Sequence, residues 1–155
     1  MARQPRQVHV YLYRQRGGQY EYAIFRRADM PECFQGVCGG GEGDETLEQA
    51  ARREAYEEAG VTGDVPLQRL ESVSFLPDTI FSEKARKVWG ERVCVVPMYF
   101  FAMPYEGEIV LSDEHTQAEW LPYEEAYRRV YFEDQKIALY ELNERLLRGV
   151  GFAQA

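Results

Sequence analysis

The chain has 155 residues, 18 Lys and Arg against 26 Asp and Glu, and a formal charge of −8 at pH 7, a length that suits one compact domain with room for a core. Its 45% apolar and 14% aromatic content excludes a disordered chain. Its acidity argues against nucleic acid or anionic lipid as partner, since both require a net basic face.

Val8 to Tyr13 is rich in β-formers and reads as a strand. Gly17-Gly18 is the turn, and Tyr20 to Phe25 the return strand. The segment from Ala28 to Gly43, with Pro31 and five glycines, reads as a loop. Thr46-Leu47-Glu48-Gln49 then matches a capping box that opens a helix, and Gly60 is placed to end it as a left-handed residue. Leu67 to Leu76 reads as a strand, and Val93 to Met103 as a longer one in which Pro97 marks a bulge or an edge. Ile109-Val110-Leu111 and Ala118 to Leu121 read as short strands, and Tyr123 to Tyr131 and Asp134 to Leu147 as closing helices. Strands mixed with a few helices, without βαβ alternation, predict an α/β chain with a mixed sheet sandwiched by helices.

The first helix carries the chemistry. At 100° per residue Glu54 and Glu58 lie about 40° apart, with Glu57 on the other side of Glu54, so three carboxylates share one stripe. Ala51, Ala55 and Ala59 form the stripe beside them, which places the acids at the border of the core. The bland reading is a solvated face with Arg53 and Glu57 as an i,i+4 pair. Against it, like charges at i,i+4 repel unless something positive sits between them, and hard divalent cations such as Mg²⁺ prefer carboxylate oxygens and bridge to phosphates. A glycine-rich segment runs directly into this helix, where backbone amides and phosphate oxygens can approach closely.

Residues 39–61 read GGGEGDETLEQAARREAYEEAGV and resemble the Nudix box. Gly39 opens it, Glu45 follows after five residues, Arg53-Glu54 after seven more, then Ala55, Glu57-Glu58, Gly60 and Val61. Seven fixed identities in register have a chance probability on the order of 10⁻⁸ per start position. Ala55 is smaller than the family's usual aliphatic residue. The resemblance implies an α/β/α sandwich, a Nudix hydrolase domain over 1–155, that hydrolyses a diphosphate linked to another moiety. Glu54, Glu57 and Glu58 would hold Mg²⁺ (Mn²⁺ as substitute), with the Gly39 carbonyl as a further ligand. Arg53 would orient the glutamates, and Glu45 would brace the junction before the helix.

Asp113-Glu114-His115 followed by Trp120-Leu121 is similar to the segment where family members carry a further glutamate. Glu114 is the candidate general base or extra ligand, Glu119 its rival, and His115 a loop hydrogen-bonder. Val37-Cys38 stands where most members have Pro-Gly. The run Phe34 to Gly39 is similar to the bacterial branch that cleaves dihydroneopterin triphosphate and dATP to release pyrophosphate. Cys38 would line the substrate site as a thiol, not a nucleophile. Arg27, or its neighbour Arg26, would reach a phosphate. The basic cluster 82–92 has two open readings: a loop in which Lys84 clamps phosphates while Trp89 or Phe34 stacks on a ring, or a mobile surface loop with Trp89 as an apolar plug or a dimer contact. Asp134 falls where that branch places a polar residue near the ring.

Two alternatives keep the same fold. One is hydrolysis of a dinucleoside polyphosphate or nucleotide sugar, and the other is nucleotide sensing without turnover. The apolar stretch from Cys94 to Tyr105 is too short to span a bilayer, and Met1 to Gln7 has no apolar run behind it. Cys33, Cys38 and Cys94 have no CxxC spacing and read as reduced thiols of a cytoplasmic protein. The expected partners are therefore a small nucleotide or pterin triphosphate, with no nucleic acid and no membrane. A second copy of the chain joins them, since 11 tyrosines suit an interface.

Overall fold

Strand β1 (Arg3–Arg16) organises the architecture of the computed structural model, which describes residues 2–153. Its alternation serves two faces: Val8, Val10 and Leu12 are buried on one side, and His9, Tyr11 and Tyr13 on the other, as a period of two requires. The chain returns in β2 (Gln19–Arg27) through Gly17 and Gly18, whose φ of 58° and 76° form a two-residue hairpin turn. The remaining elements are β3 (Phe34–Gln35), β4 (Val37–Glu42), α1 (Leu47–Ala59), β5 (Gln68–Pro77), α2 (Glu83–Trp89), β6 (Val95–Pro104), β7 (His115–Pro122), α3 (Tyr123–Arg129) and α4 (Glu133–Arg148).

The seven strands form one mixed sheet, with β3-β2-β1-β6-β5 in order, β4 on β1 and β7 on β2. Helix α1 covers one face through Ala50, Ala51, Ala55 and Ala59 against Val8, Val10, Leu12 and Phe101. Helices α3 and α4 cover the other, with Ala126, Leu139 and Leu142 against Tyr11, Tyr22 and Phe100. This is the α/β sandwich expected, and the small alanines of α1 let that helix lie close to the sheet. Among the described residues no helix is long and apolar enough to cross a membrane.

The sheet forks, and the fork makes the site. Strand β1 pairs with β2 only from Tyr13 to Arg16, and its N-terminal part pairs with β4 instead. Beyond the hairpin, β2 pairs with β3 at Phe25 and Arg26, and with β7 along its other edge. The unit β3–Gly36–β4 thus fills the gap between two diverging strands. The expected loop over 28–43 is corrected here: its second half is strand. Glycine is a poor strand former, but a backbone without side chains can pass close to neighbours, and the pairing with β1 is long-range and invisible to local propensity.

Two other segments differ from expectation. Residues 109–111 are not a strand; the Val110 N–H donates to the Ala59 carbonyl at 2.9 Å, so the segment closes the end of α1. The basic cluster 82–92 is not a loop. It holds α2, whose start is capped by the Ser82 hydroxyl accepting from the Ala85 N–H. Both ends of α1 are as expected, with Thr46 and Gln49 in a reciprocal capping box and Gly60 left-handed at φ 76°. Pro97 sits where β6 pairs with β5 but not yet with β1, whose register begins at Met98, so its missing N–H costs no ladder bond.

Gly36 is required by close approach. A Cβ there would lie 2.4 Å from His9 Cε1 and 2.9 Å from the Val10 carbonyl oxygen. Gly36→Ala is therefore expected to cost about 1–3 kcal/mol, the range for overpacking, read as a lower urea midpoint with an unchanged slope. An unchanged midpoint would reject the close packing of β3–Gly36–β4 on His9.

Candidate active site

A cleft of about 870 Å³ opens where the fork of the sheet meets α1 and the first turn of α4. Its acidic wall is α1. The helix register places Glu54 and Glu58 one turn apart, each nearly buried at 8% and 3% exposure. Glu57, the third acid of the stripe, is half exposed and bonded to Arg53. Gly39 in β4 makes this possible, since a Cβ there would stand 2.0 Å from the Glu54 carboxyl carbon.

Arg53 organises the entrance. Its guanidinium donates to Glu45 at 2.7 and 3.1 Å, to the Gly40 carbonyl at 2.7 Å, to Glu54 at 3.0 Å and to Glu57 at 3.1 Å. Glu45 in turn accepts the Glu42 N–H at 2.8 Å, and the bond from Arg53 holds its carboxyl below the usual range. It braces the turn between β4 and α1, the place expected for it.

Residues 112–115 flank Glu58 and line the same cleft. Ser112 Oγ donates toward Glu58 Oε1 at 3.4 Å and accepts the Glu114 N–H at 3.2 Å. Glu114 is exposed on the cleft, and its carboxyl reaches Glu58. Glu119, its rival, lies apart on β7, bonded to Arg129 and Gln117. Burial pushes the Glu54 carboxyl up to about 7, with Arg53 pulling it back. Burial and then the Glu114 carboxyl push Glu58 up to about 9. Two acids so placed favour the neutral form unless a cation joins them.

Sequence reasoning named further residues, and the cleft gathers some of them. Arg27 lines it, paired with Asp29 through bonds of 2.8 and 2.6 Å. Arg26 turns away to the Pro31 carbonyl. Cys38 lines the floor and accepts weakly from Gln135 Nε2 at 3.8 Å; burial pushes its thiol well up, which leaves it without thiolate character. Asp134 lines the cleft where α4 begins and accepts from Ser74 Oγ at 2.8 Å.

Three expected contacts stand outside the lining, and each has a physical reason. Phe34 lies on the opposite side of β3 from the cleft, packed in the α4 layer beneath Arg26 and Arg129; its neighbour Gln35 faces the cleft in its place. Lys84 is exposed on α2. Trp89 packs edge-on to Phe81 and donates to the Arg3 carbonyl at 2.6 Å, the plug reading. The cleft is instead lined by Arg3, Gln7, Met98, His115 and Gln135, which sequence reasoning did not select. Arg3 is one of four arginines in β1 and nothing local marks it out; its approach over Gly40 is set by the β1–β4 pairing.

Comparison with known proteins agrees with this geometry. The family model described as NUDIX domain matches residues 3–142. A NUDIX hydrolase from Listeria monocytogenes is 34% identical over 97% of this chain and 100% of its own, with a TM-score of 0.83. The dihydroneopterin triphosphate pyrophosphohydrolase of E. coli is 24% identical, with 92% and 99% covered and a TM-score of 0.70. An Ap4A hydrolase of C. elegans is 20% identical, with 92% and 98% covered and a TM-score of 0.68. The last two show likeness of fold. No curated protein matches the chain.

The raised carboxyls carry a pH signature. Between their ordinary value of 4.5 and the folded values of about 7 and 9, the native chain binds more protons than the unfolded one. Stability is then full below pH 4.5 with respect to these groups and declines as pH rises through the folded values. In chelator, the melting temperature is expected to fall across that window, and Glu58→Gln to flatten the decline. A melting temperature that rises from pH 5 to 9 would contradict the burial of these acids.

Proposed function

The chain belongs to the NUDIX domain family, and from that premise we propose that it hydrolyses a nucleoside triphosphate-like substrate, a dNTP or dihydroneopterin triphosphate, to the monophosphate and pyrophosphate. The observation that supports this most is the placement of Glu54, Glu58 and Glu114 on one cleft that is lined by both polar and apolar groups.

The donor set fits a divalent cation. Glu54 and Glu58 offer hard oxygen ligands, burial raises both carboxyls even with Arg53 beside Glu54, and Gly39 leaves the space a Cβ would fill. Among the described residues no three His, Cys, Asp or Glu side chains already converge as a coordination cluster, so Glu57, now at the solvent side on Arg53, would complete the set by turning inward. Glu54, Glu57 and Glu58 would hold Mg²⁺ or Mn²⁺, with the Gly39 carbonyl beside them. Such a cation, when bound, neutralises a diphosphate and lowers the pKa of the attacking water.

The chain's own residues then divide the work. Arg53 ties Glu54 and Glu57 to Glu45 and the Gly40 carbonyl through five hydrogen bonds. Glu114, free to move at the cleft edge, takes the proton from water as general base. Arg27 meets a phosphate by exchanging Asp29 for it, and Arg3 supplies a second cation from β1. At the far end Asp134, Gln135, Gln7 and Cys38 offer hydrogen-bonding groups, and Leu76, Ile80, Met98 and Phe132 offer apolar surface, the mixture that recognises a flat heterocycle.

A panel of ordinary and deoxy nucleoside triphosphates, dihydroneopterin triphosphate, ADP-ribose and a diadenosine polyphosphate, with pyrophosphate and phosphate detected separately, tests the reading. Pyrophosphate is expected from the pterin or a dNTP, and Glu58→Gln is expected to lower kcat by about 10²-fold or more. Asymmetric cleavage of the diadenosine polyphosphate alone would move the substrate assignment, and nucleotide binding without turnover would remove the enzymatic one.

Gly39→Ala separates site from fold. The clash is with the end of a flexible side chain, so the melting temperature is expected to change by only a few degrees while activity falls at least tenfold. Activity unchanged by the added methyl would dissociate Glu54 from turnover.

A further inference from the structure

His115 stands beneath the acidic wall and has no role in the function proposed above. Its side chain is 1% exposed and its ring leans on Phe25 at 5.1 Å between centroids. One ring nitrogen, Nδ1, is buried and has no hydrogen-bond partner. An orphaned buried nitrogen is costly, and the acceptor set before it is Glu58 Oε2, at 3.6 Å. That is just beyond hydrogen-bond length, a gap that a small rotation of the carboxylate closes.

The orientation assigned to the Gln35 amide gives the direction of the proton. His115 Nε2 lies 3.4 Å from Gln35 Nε2, while Gln35 Oε1 accepts from the Cys33 thiol at 3.8 Å. With the amide carbonyl turned to Cys33, its NH₂ donates to His115 Nε2, which must then carry the lone pair. The ring proton is left on Nδ1, aimed at Glu58. Burial pushes the imidazole pKa down, in keeping with a neutral ring.

We infer that His115 is a positioning residue for Glu58: its Nδ1–H, fixed in that tautomer by Gln35, holds Oε2 while Ser112 holds Oε1, leaving the lone pairs that face the cleft for a cation. The inference rests on the reading of Glu58 as a metal ligand. Donors behind a ligand fix its orientation, and their removal typically lowers metal affinity 10–100-fold. Ser112 and His115 thus each take one oxygen of the carboxylate, while Glu114 between them in the chain is exposed on the cleft.

Two histidines in the chain, His9 and His115, make the tautomer readable by ¹⁵N–¹H correlation, with a His9 variant for assignment. Mn²⁺ binding to the whole protein, followed by electron paramagnetic resonance or calorimetry, reads the affinity without turnover. His115 is expected as the Nδ1–H tautomer. His115→Leu is expected to weaken Mn²⁺ 10–100-fold, and His115→Gln, whose amide reaches the Nε2 position, to weaken it similarly. His115→Asn, whose amide takes the place of Nδ1, is expected to stay within about threefold of the unsubstituted protein.

An Nε2–H tautomer, or Mn²⁺ affinity that is equal in the Leu, Gln and unsubstituted proteins, overturns the inference. Should the Leu variant fail to fold, the tautomer and the contrast of Asn with Gln still decide it. Glu58→Gln is the separate control. Undiminished Mn²⁺ binding there overturns the metal reading of Glu58 itself, whatever His115 does.

Discussion

One guanidinium ties together three parts of this chain at the mouth of the cleft. Arg53 projects from α1, yet it bonds the backbone of β4 at Gly40, the carboxylate of Glu45 in the turn between them, and two acids of its own helix. Without it, Glu45, Glu54 and Glu57 would face one another across a few ångströms, and the repulsion would push β4 and α1 apart. With it, the approach becomes close enough that a Cβ at 39 would meet the Glu54 carboxyl. The cleft is a consequence of that approach, because β4 is the strand that fills the fork between β1 and β2.

Arg53 does not neutralise everything it organises. Glu58 lies beyond its reach, buried against His115 and Ser112 with the Glu114 carboxyl beside it. Burying a carboxylate without an ionic partner is unfavourable, and the group responds by holding its proton. The wall of the site therefore carries a destabilising arrangement that the alanine stripe of α1 and the two-faced packing of β1 have to offset. A protein under no functional constraint would relieve it with a single Glu→Gln change, which the i,i+4 spacing of Glu54 and Glu58 would accept without cost to the helix.

What could be read from the sequence divides along the range of the interactions. Helix α1 was legible to its caps, because Thr46, Gln49 and Gly60 act on backbone groups within a turn of themselves. The alternation of β1 was legible for the same reason. Strand β4 was not: its glycines lower every local score, and its partner is some thirty residues away in the chain. Phe34 shows how narrow the margin is. A strand turns successive side chains to opposite faces, so a shift of one residue exchanges an aromatic wall for the amide of Gln35. The cluster from Ser82 to Arg92 drew attention by charge alone, but Ser82 caps a helix there, and that helix carries Lys84 into solvent.

The charge balance explains why the acids matter more than the bases. Of the arginines that line the cleft, Arg53 is saturated by carboxylates and a carbonyl, and Arg27 is held by Asp29. Arg3 is bonded to the neutral Gln7 and leans over Phe81, so it alone of the three meets an incoming anion without first giving up a carboxylate. One such guanidinium does not balance a triphosphate, and the net charge of −8 offers no long-range help. The missing positive charge has to arrive with the substrate or be held by the carboxylates. Glu54 and Glu58, whose carboxyls burial pushes up, line the cleft where they are placed to accept it.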